Sequence, residues 1–178
     1  MRFAYADPPY PGMAMKHYGH DPQAAEVDYN ALMGDLMAYD AWALSLGSVD
    51  LYDVLRMPNM PAKHRIGAWV KPFASFKPNV NPAYTWEPVI FYGGRDLGRD
   101  VPTVRDFVSA NITLQRGLAG VKPHEFNVWL FEFLGAQPDD EFVDLFPGSG
   151  AVSESWRKWC ADKTGEWRQL PIMQEVAR

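Results

Sequence analysis

"DEFVDLFPGSG", residues 140–150, is an apolar strand run that closes on two glycines, and "AVSESWRKWCADK", residues 151–163, reads as the helix behind it. Gly148 and Gly150 allow positive φ and a close approach of backbone to a ligand. The helix that follows offers its unpaired N–H groups to a polar or anionic group. As a dinucleotide fingerprint the turn is poor, because the third glycine of G-x-G-x-x-G would fall at Ser153. As a phosphate loop it fails, because no Gly-Lys-Ser/Thr follows. Alone, the turn suits a plain strand-to-helix connection as well as a binding site.

Working outward, strand-like runs alternate with helix-like ones. "RFAYA" (2–6), "AWALSLG" (41–47), "RIGAWVK" (65–71) and "EPVIFYGG" (87–94) read as strands. "DYNALMGDLMAY" (28–39) places Leu32, Met33 and Leu36 at helical spacing, and "VDLYDVLRM" (49–57) reads as a helix. "KPHEFNVWLFEFLG" (122–135) carries the stripe Phe126, Trp129, Leu130 and Phe133 and is stopped by Gly135. Residues 95–120 are the least regular part, and "RQLPIM" (168–173) reads as a final strand whose proline suits an edge. This alternation predicts an α/β domain: a mostly parallel sheet with helices on both faces. In such folds ligands bind beyond the carboxyl ends of the strands.

The chain of 178 residues reads as one domain, 1–178, with a core large enough to fold unstapled. Its 47% apolar and 22% charged residues exclude global disorder. Cys160 is the single cysteine, so no internal disulfide is possible and a reducing, cytoplasmic location is expected. No run is long enough for a signal peptide or a membrane span, so no membrane partner is expected. A net charge of −5 argues against holding nucleic acid by a global field. A local basic face remains open: Lys63, His64 and Arg65 cluster, Lys71 and Lys77 follow, and Arg95, Arg99, Arg105 and Arg116 are dispersed. The plain alternative is a solvated surface.

A second strand end answers the first. "RFAYADPPYPG" (2–12) sets Asp7-Pro8-Pro9-Tyr10 directly behind a strand. By itself this is ordinary turn chemistry. Paired with Phe146-Pro147-Gly148-Ser149-Gly150, it resembles the amino-group DNA methyltransferases that use S-adenosylmethionine. In that family the first motif, (D/N/S)PP(Y/F/W), is catalytic and the second is the cofactor loop. Here the catalytic motif comes first, the circularly permuted order of the β group. "GVKPHEFNVWLFEFL" (120–134) is similar to the family's Lys-Pro-opened helix. "AWALSLGSVDLYDVL", "GAWVKP" and "TWEPVIFYGG" are similar to its intervening segments, including the Trp-x-Lys and (His/Trp)-Glu-x-x-x-(Phe/Leu) patterns of related adenine enzymes, RNA-directed ones among them. The likeness covers nearly the whole chain.

The resemblance implies a Rossmann-like S-adenosylmethionine-dependent methyltransferase fold and methylation of the N6 amine of adenine in DNA. That amine is a poor nucleophile, its lone pair being delocalised into the ring. The Asp7 carboxylate and Pro8 carbonyl would accept hydrogen bonds from its two protons, pulling the nitrogen toward tetrahedral geometry and favouring developing positive charge. Pro8 and Pro9 stiffen this edge, and Tyr10 offers a flat face for a flipped base. The chemistry needs no metal, and His17 with His20 lack partners to complete a metal site. For the cofactor, the resemblance implies Asp144, Phe146, Gly148, Ser149 and Gly150 around the methionine part, with Asp144 toward the ammonium and Lys122 and Pro123 shaping the same pocket. Phe146 reads equally as a core residue at a strand end, and Lys122 as part of a helix cap.

The sequence departs from the family's pattern in two places. The strand that should end in a ribose-binding acid contains a proline, and only Glu175 lies near its end. The target-recognition region is short: residues 95–120, whose arginines can contact phosphates and whose Asn111 or Gln115 could read an adenine edge. Specificity is therefore expected to be relaxed or shared with a partner subunit or second copy. Compact members of this layout resemble phage-borne enzymes acting in an infected bacterial host. The loop 11–27 reads as a lid over the substrate base. RNA adenine, cytosine N4 and a non-catalytic binding subunit stand as alternatives to DNA adenine.

Overall fold

The computed structural model describes residues 1–9, 27–73, 79–113 and 121–165. Tyr10, Glu175, His17, His20, Lys77, Gln115, Arg116 and the expected strand 168–173 lie outside them, as does nearly all of the loop 11–27.

Among the described residues six strands form one sheet: β1 (Arg2–Ala6), β2 (Ala41–Ser45), β3 (His64–Val70), β4 (Trp86–Gly93), β5 (Phe107–Ser109) and β6 (Glu141–Asp144). Their spatial order is β5-β3-β4-β2-β1-β6. β1 lies between β2 and β6, parallel to both. It is apolar on both faces because both are covered: Phe3 and Tyr5 enter one core layer, Ala4 and Ala6 the other. β2 is buried at every position for the same reason.

One strand departs from the parallel expectation. β4 runs antiparallel to both β2 and β3. A parallel return needs a crossover of a dozen or more residues, usually a helix. Residues 71–85, rich in proline, form no helix among the described residues, so the chain turns straight back beside β3. Within positions 95–113 the short strand β5 pairs in parallel with β3, and the other described residues of that stretch form neither helix nor strand.

Four described helices cover the sheet: α1 (Tyr29–Leu36), α2 (Leu51–Leu55), α3 (His124–Phe133) and α4 (Ala151–Thr164). α1 begins where the Asp28 carboxylate accepts the N–H groups of Asn30 and Ala31, and it buries Tyr29, Leu32, Met33 and Leu36. With Val54 of α2, these side chains pack on Trp42, Leu44 and Ile90. The opposite layer holds Phe126, Trp129 and Leu130 of α3 and Val152 and Trp159 of α4, against Trp69, Val89 and Phe91. α3 sits so close to β3 that a Cβ on Gly67 would lie 2.8 Å from the Trp129 ring and 2.9 Å from Phe91. Helices therefore lie on both faces, as the alternation predicts. No described helix is long and apolar enough to cross a membrane.

Candidate active site

The carboxyl ends of β1, β2, β3 and β6 point to one edge of the sheet, and the reversed β4 brings its amino end there. Five ionisable side chains collect along that edge. Asp7 follows β1, Lys71 follows β3, Glu87 opens β4, Lys122 precedes α3, and Asp144 ends β6.

Four of them form a chain of alternating charge. Lys122 Nζ lies 3.1 Å from Asp7 Oδ1 and 3.2 Å from Glu87 Oε2, and Lys71 donates to the other Glu87 oxygen. The Lys122 side chain is 6% exposed, Lys71 12%, Glu87 17% and Asp7 24%. Both ammonium groups also lie over the Trp69 ring, at 4.6 Å for Lys71 and 5.2 Å for Lys122. The ring is itself fixed by an Nε1–H bond of 2.8 Å to the Ala110 carbonyl. Burial pushes the Asp7 carboxyl above its ordinary range, against the pull of Lys122. At Glu87 burial pushes the same way, but Lys122 and Lys71 together outweigh it and hold the carboxyl below its ordinary value. Beneath this edge the Tyr5 hydroxyl lies 2.8 Å from Ser45 Oγ, and burial raises its pKa well above the ordinary value.

Asp144 sits beside Tyr5 in the β1–β6 register, two residues along from Asp7. Its Oδ1 accepts the Phe146 N–H at 3.2 Å. Its Oδ2 is buried and has no partner among the described residues. Burial raises its pKa to about 6, the Phe146 N–H opposes, and Asp7 adds to the rise. The glycine turn follows directly. Gly148 and Gly150 have φ of 46° and 77°, and Gly150 occupies the N-cap of α4. No heavy atom lies within 4 Å of a Cβ built on Gly150, so its left-handed backbone, not crowding, calls for glycine. Ser149 Oγ accepts the Ala151 N–H at 3.4 Å. Asn127 of α3 donates to Ser155 Oγ at 3.0 Å and reaches the Ala151 carbonyl at 3.5 Å, tying the start of α4 to α3.

The edge thus brings together Asp7, Pro8, Pro9, Lys122, Pro123, Asp144 and the 146–150 turn. Phe146 packs against the α1-side core while half exposed, and Pro123 is the buried N-cap of α3. Lys71, read in sequence with the solvated basic cluster, belongs instead to the buried ion chain. Arg95, read as a phosphate contact, is held at the opposite edge. Its guanidinium binds both oxygens of Asp140, at 2.7 and 3.0 Å, and the Gly135 carbonyl at 2.7 Å. Glu87 and Ser45 were not among the candidate residues. Glu87 carried a local signal: it is the one charged residue of β4, at a position whose neighbours Val89 and Phe91 face the core. Among the described residues, no three His, Cys, Asp or Glu side chains group as metal ligands.

No protein-family profile matches the sequence, and no curated protein matches it either. Among solved structures, the chain is similar to the crystal structure of the M1.HpyAVI–SAM complex, with a TM-score of 0.52. The two share 13% identity over 88% of this chain and 78% of that one. The fold is the methyltransferase fold. In open α/β sheets ligands bind beyond the carboxyl ends of the strands, and Asp7 and Asp144 stand at that edge here.

Proposed function

We propose that this chain transfers a methyl group from S-adenosylmethionine to the N6 amine of adenine in DNA. The observation that carries the reading is the adjacency of two strand ends: Asp7-Pro8-Pro9 on β1, and Asp144 with the glycine turn on the neighbouring β6. The residues present fit the cofactor. An orphaned, buried carboxylate oxygen on Asp144 suits an ammonium group, and the open space at Gly150 leaves room beside it. Asp144, Phe146, Gly148, Ser149 and Gly150 would hold the cofactor, with Lys122 and Pro123 at the border of the pocket and Glu175 assigned to the ribose. When bound, S-adenosylmethionine supplies an electrophilic methyl carbon on a sulfonium.

The chain's own residues orient and activate the amine. The Asp7 carboxylate accepts one N–H and the Pro8 carbonyl the other. The Pro9 carbonyl is engaged at 3.4 Å by the Tyr29 hydroxyl, which braces the turn from the α1 side. Burial makes Asp7 a stronger acceptor, and Lys122 at 3.1 Å keeps its charge compensated until the amine arrives. Tyr10 supplies the stacking face. Asp at the first catalytic position favours adenine over cytosine by family resemblance, and Asn111 of the recognition segment follows β5, whose carboxyl end lies at the same edge of the sheet, four strands from β1.

Transfer of a tritiated methyl group to DNA and to RNA in parallel, followed by nucleoside analysis, tests the reading. Labelled N6-methyladenine in DNA is expected. Asp7→Ala retains S-adenosylmethionine binding by calorimetry and loses transfer by at least about a hundredfold, the scale of one transition-state hydrogen-bonding group. Full activity of that variant would sink the proposed role of Asp7. Absence of cofactor binding by the wild type would remove the enzyme reading altogether.

A further inference from the structure

We infer that the outer face of β3, β4 and β5 is a stacking platform that leads an unpaired nucleic-acid strand to the catalytic edge. The inference rests on the nucleic-acid substrate proposed above. α1 and α2 cover their side of the sheet over β1, β2 and part of β4, where Ile90 is fully buried. Further out on that face Pro88 is still buried and Ala68 partly so, but four large apolar side chains around them are exposed. Ile66, Val70, Trp86 and Phe107 are each between 36% and 43% exposed. Strand register sets them side by side: Ile66 is opposite Ile90, Val70 opposite Trp86, and Phe107 beside Ala68. Directly opposite residues share a face, so these four belong to the α1 side, while Trp69, Val89 and Val108 point to the α3 side.

Three features select a strand of nucleic acid as the occupant over a second copy of this chain. The first is charge. In a chain of net charge −5, no strand position on this face of β3, β4 or β5 is a carboxylate. The Arg105 guanidinium lies 5.9 Å over the Phe107 ring, so the bare aromatic carries a cation with it. Aromatic surface with interleaved cations is what single strands bind: bases stack on rings while phosphates meet arginine. The second is direction. Val70 and Trp86 lie at the ends of β3 and β4 that also carry Lys71 and Glu87, so the platform reaches the same edge of the sheet from the face opposite the ion chain. The third is composition, because Tyr84, two residues before Trp86 in the chain, is a further exposed aromatic, at 53%.

Fluorescence anisotropy with labelled single-stranded and duplex oligonucleotides of equal length tests this. The wild type is expected to prefer the single strand. Phe107→Ala and Trp86→Ala should each weaken single-strand binding about tenfold, the scale of one lost base stack. Phe107→Leu keeps apolar area without a flat ring and should lose nearly as much. Arg105→Gln should weaken binding and lower the salt slope by about 0.7. Single-strand affinities within twofold of wild type in the aromatic variants overturn the inference. So does a change in self-association by sedimentation, with oligonucleotide binding untouched. Methyl transfer and cofactor calorimetry are separate readouts: their failure refutes the proposed reaction, while anisotropy still decides the platform.

Discussion

Replacing Glu87 by glutamine isolates one charge in the middle of the ion chain. Glu87 accepts from both Lys71 and Lys122, and all three side chains are less than one-fifth exposed. At 3.2 Å and an effective dielectric near 20, the Lys122–Glu87 attraction is about 5 kcal/mol before desolvation, an upper bound. Breaking a buried pair by removing one partner costs about 3–5 kcal/mol. Glutamine keeps an acceptor oxygen for one ammonium, so the expected loss is about 2–4 kcal/mol. For a chain of this length that lowers Tm by roughly 5–12 °C. The pH dependence has a definite sign. The folded-state pKa of Glu87 is below its ordinary value of 4.5, so its stabilisation is present above that value and is lost as pH falls through the folded pKa. The gap between wild type and variant, followed by calorimetric melting, should therefore be full at pH 7 and close as pH falls through the lowered folded-state pKa. Lys71→Met in the Glu87→Gln background removes the cation whose carboxylate was lost, while Lys122 keeps Asp7, and should restore at least about 1 kcal/mol. A Tm loss under about 2 °C, or strict additivity in that double variant, would refute the coupling of these charges.

Asp140→Ala should destabilise by about 3–5 kcal/mol in denaturant unfolding, because its carboxylate is 1% exposed and binds Arg95, the Met1 ammonium at 2.6 Å and the Gln137 N–H. Its pKa is held far below the ordinary range, first by Arg95, so the wild type's advantage should fade only in strong acid. Asp144, raised to about 6, works in the opposite sense: it stays protonated longer in the folded than in the unfolded chain, so folding stability falls as pH rises from about 4 to 6. Asp144→Asn should therefore melt above the wild type at pH 7, by roughly 1–3 kcal/mol, with the gap closing below pH 4. S-adenosylmethionine affinity should drop toward tenfold per pH unit below 6 in the wild type and lie weaker and flat in Asp144→Asn, as read by calorimetry. A flat wild-type profile would remove Asp144 from the ammonium site.

What the sequence revealed and what it hid divide along one physical line. Periodicity reports which way a side chain faces within its own element, so the stripe of α3, the buried run of β2 and the two strand ends at Asp7 and Gly148 were all legible. The direction of β4 was not, because it depends on how the connection returns the chain beside β3, which no periodicity within the strand records. Ion partners were hidden for the same reason: Arg95 finds Asp140, and Lys71 finds Glu87, across folds of the chain. Yet a carboxylate at a core-facing strand position must have a partner, since burying it alone is too costly. Glu87 at the opening of β4 meets that condition. Applied to the whole edge, the same reasoning separates the acids. Asp7 and Glu87 are balanced by Lys122 and Lys71, two charges against two. At Asp144 burial raises the pKa first and Asp7 adds to the rise, with no cation among the described residues to oppose them. On the function proposed above, the positively charged group of the cofactor takes the unmatched place, on β6 beside the glycine turn.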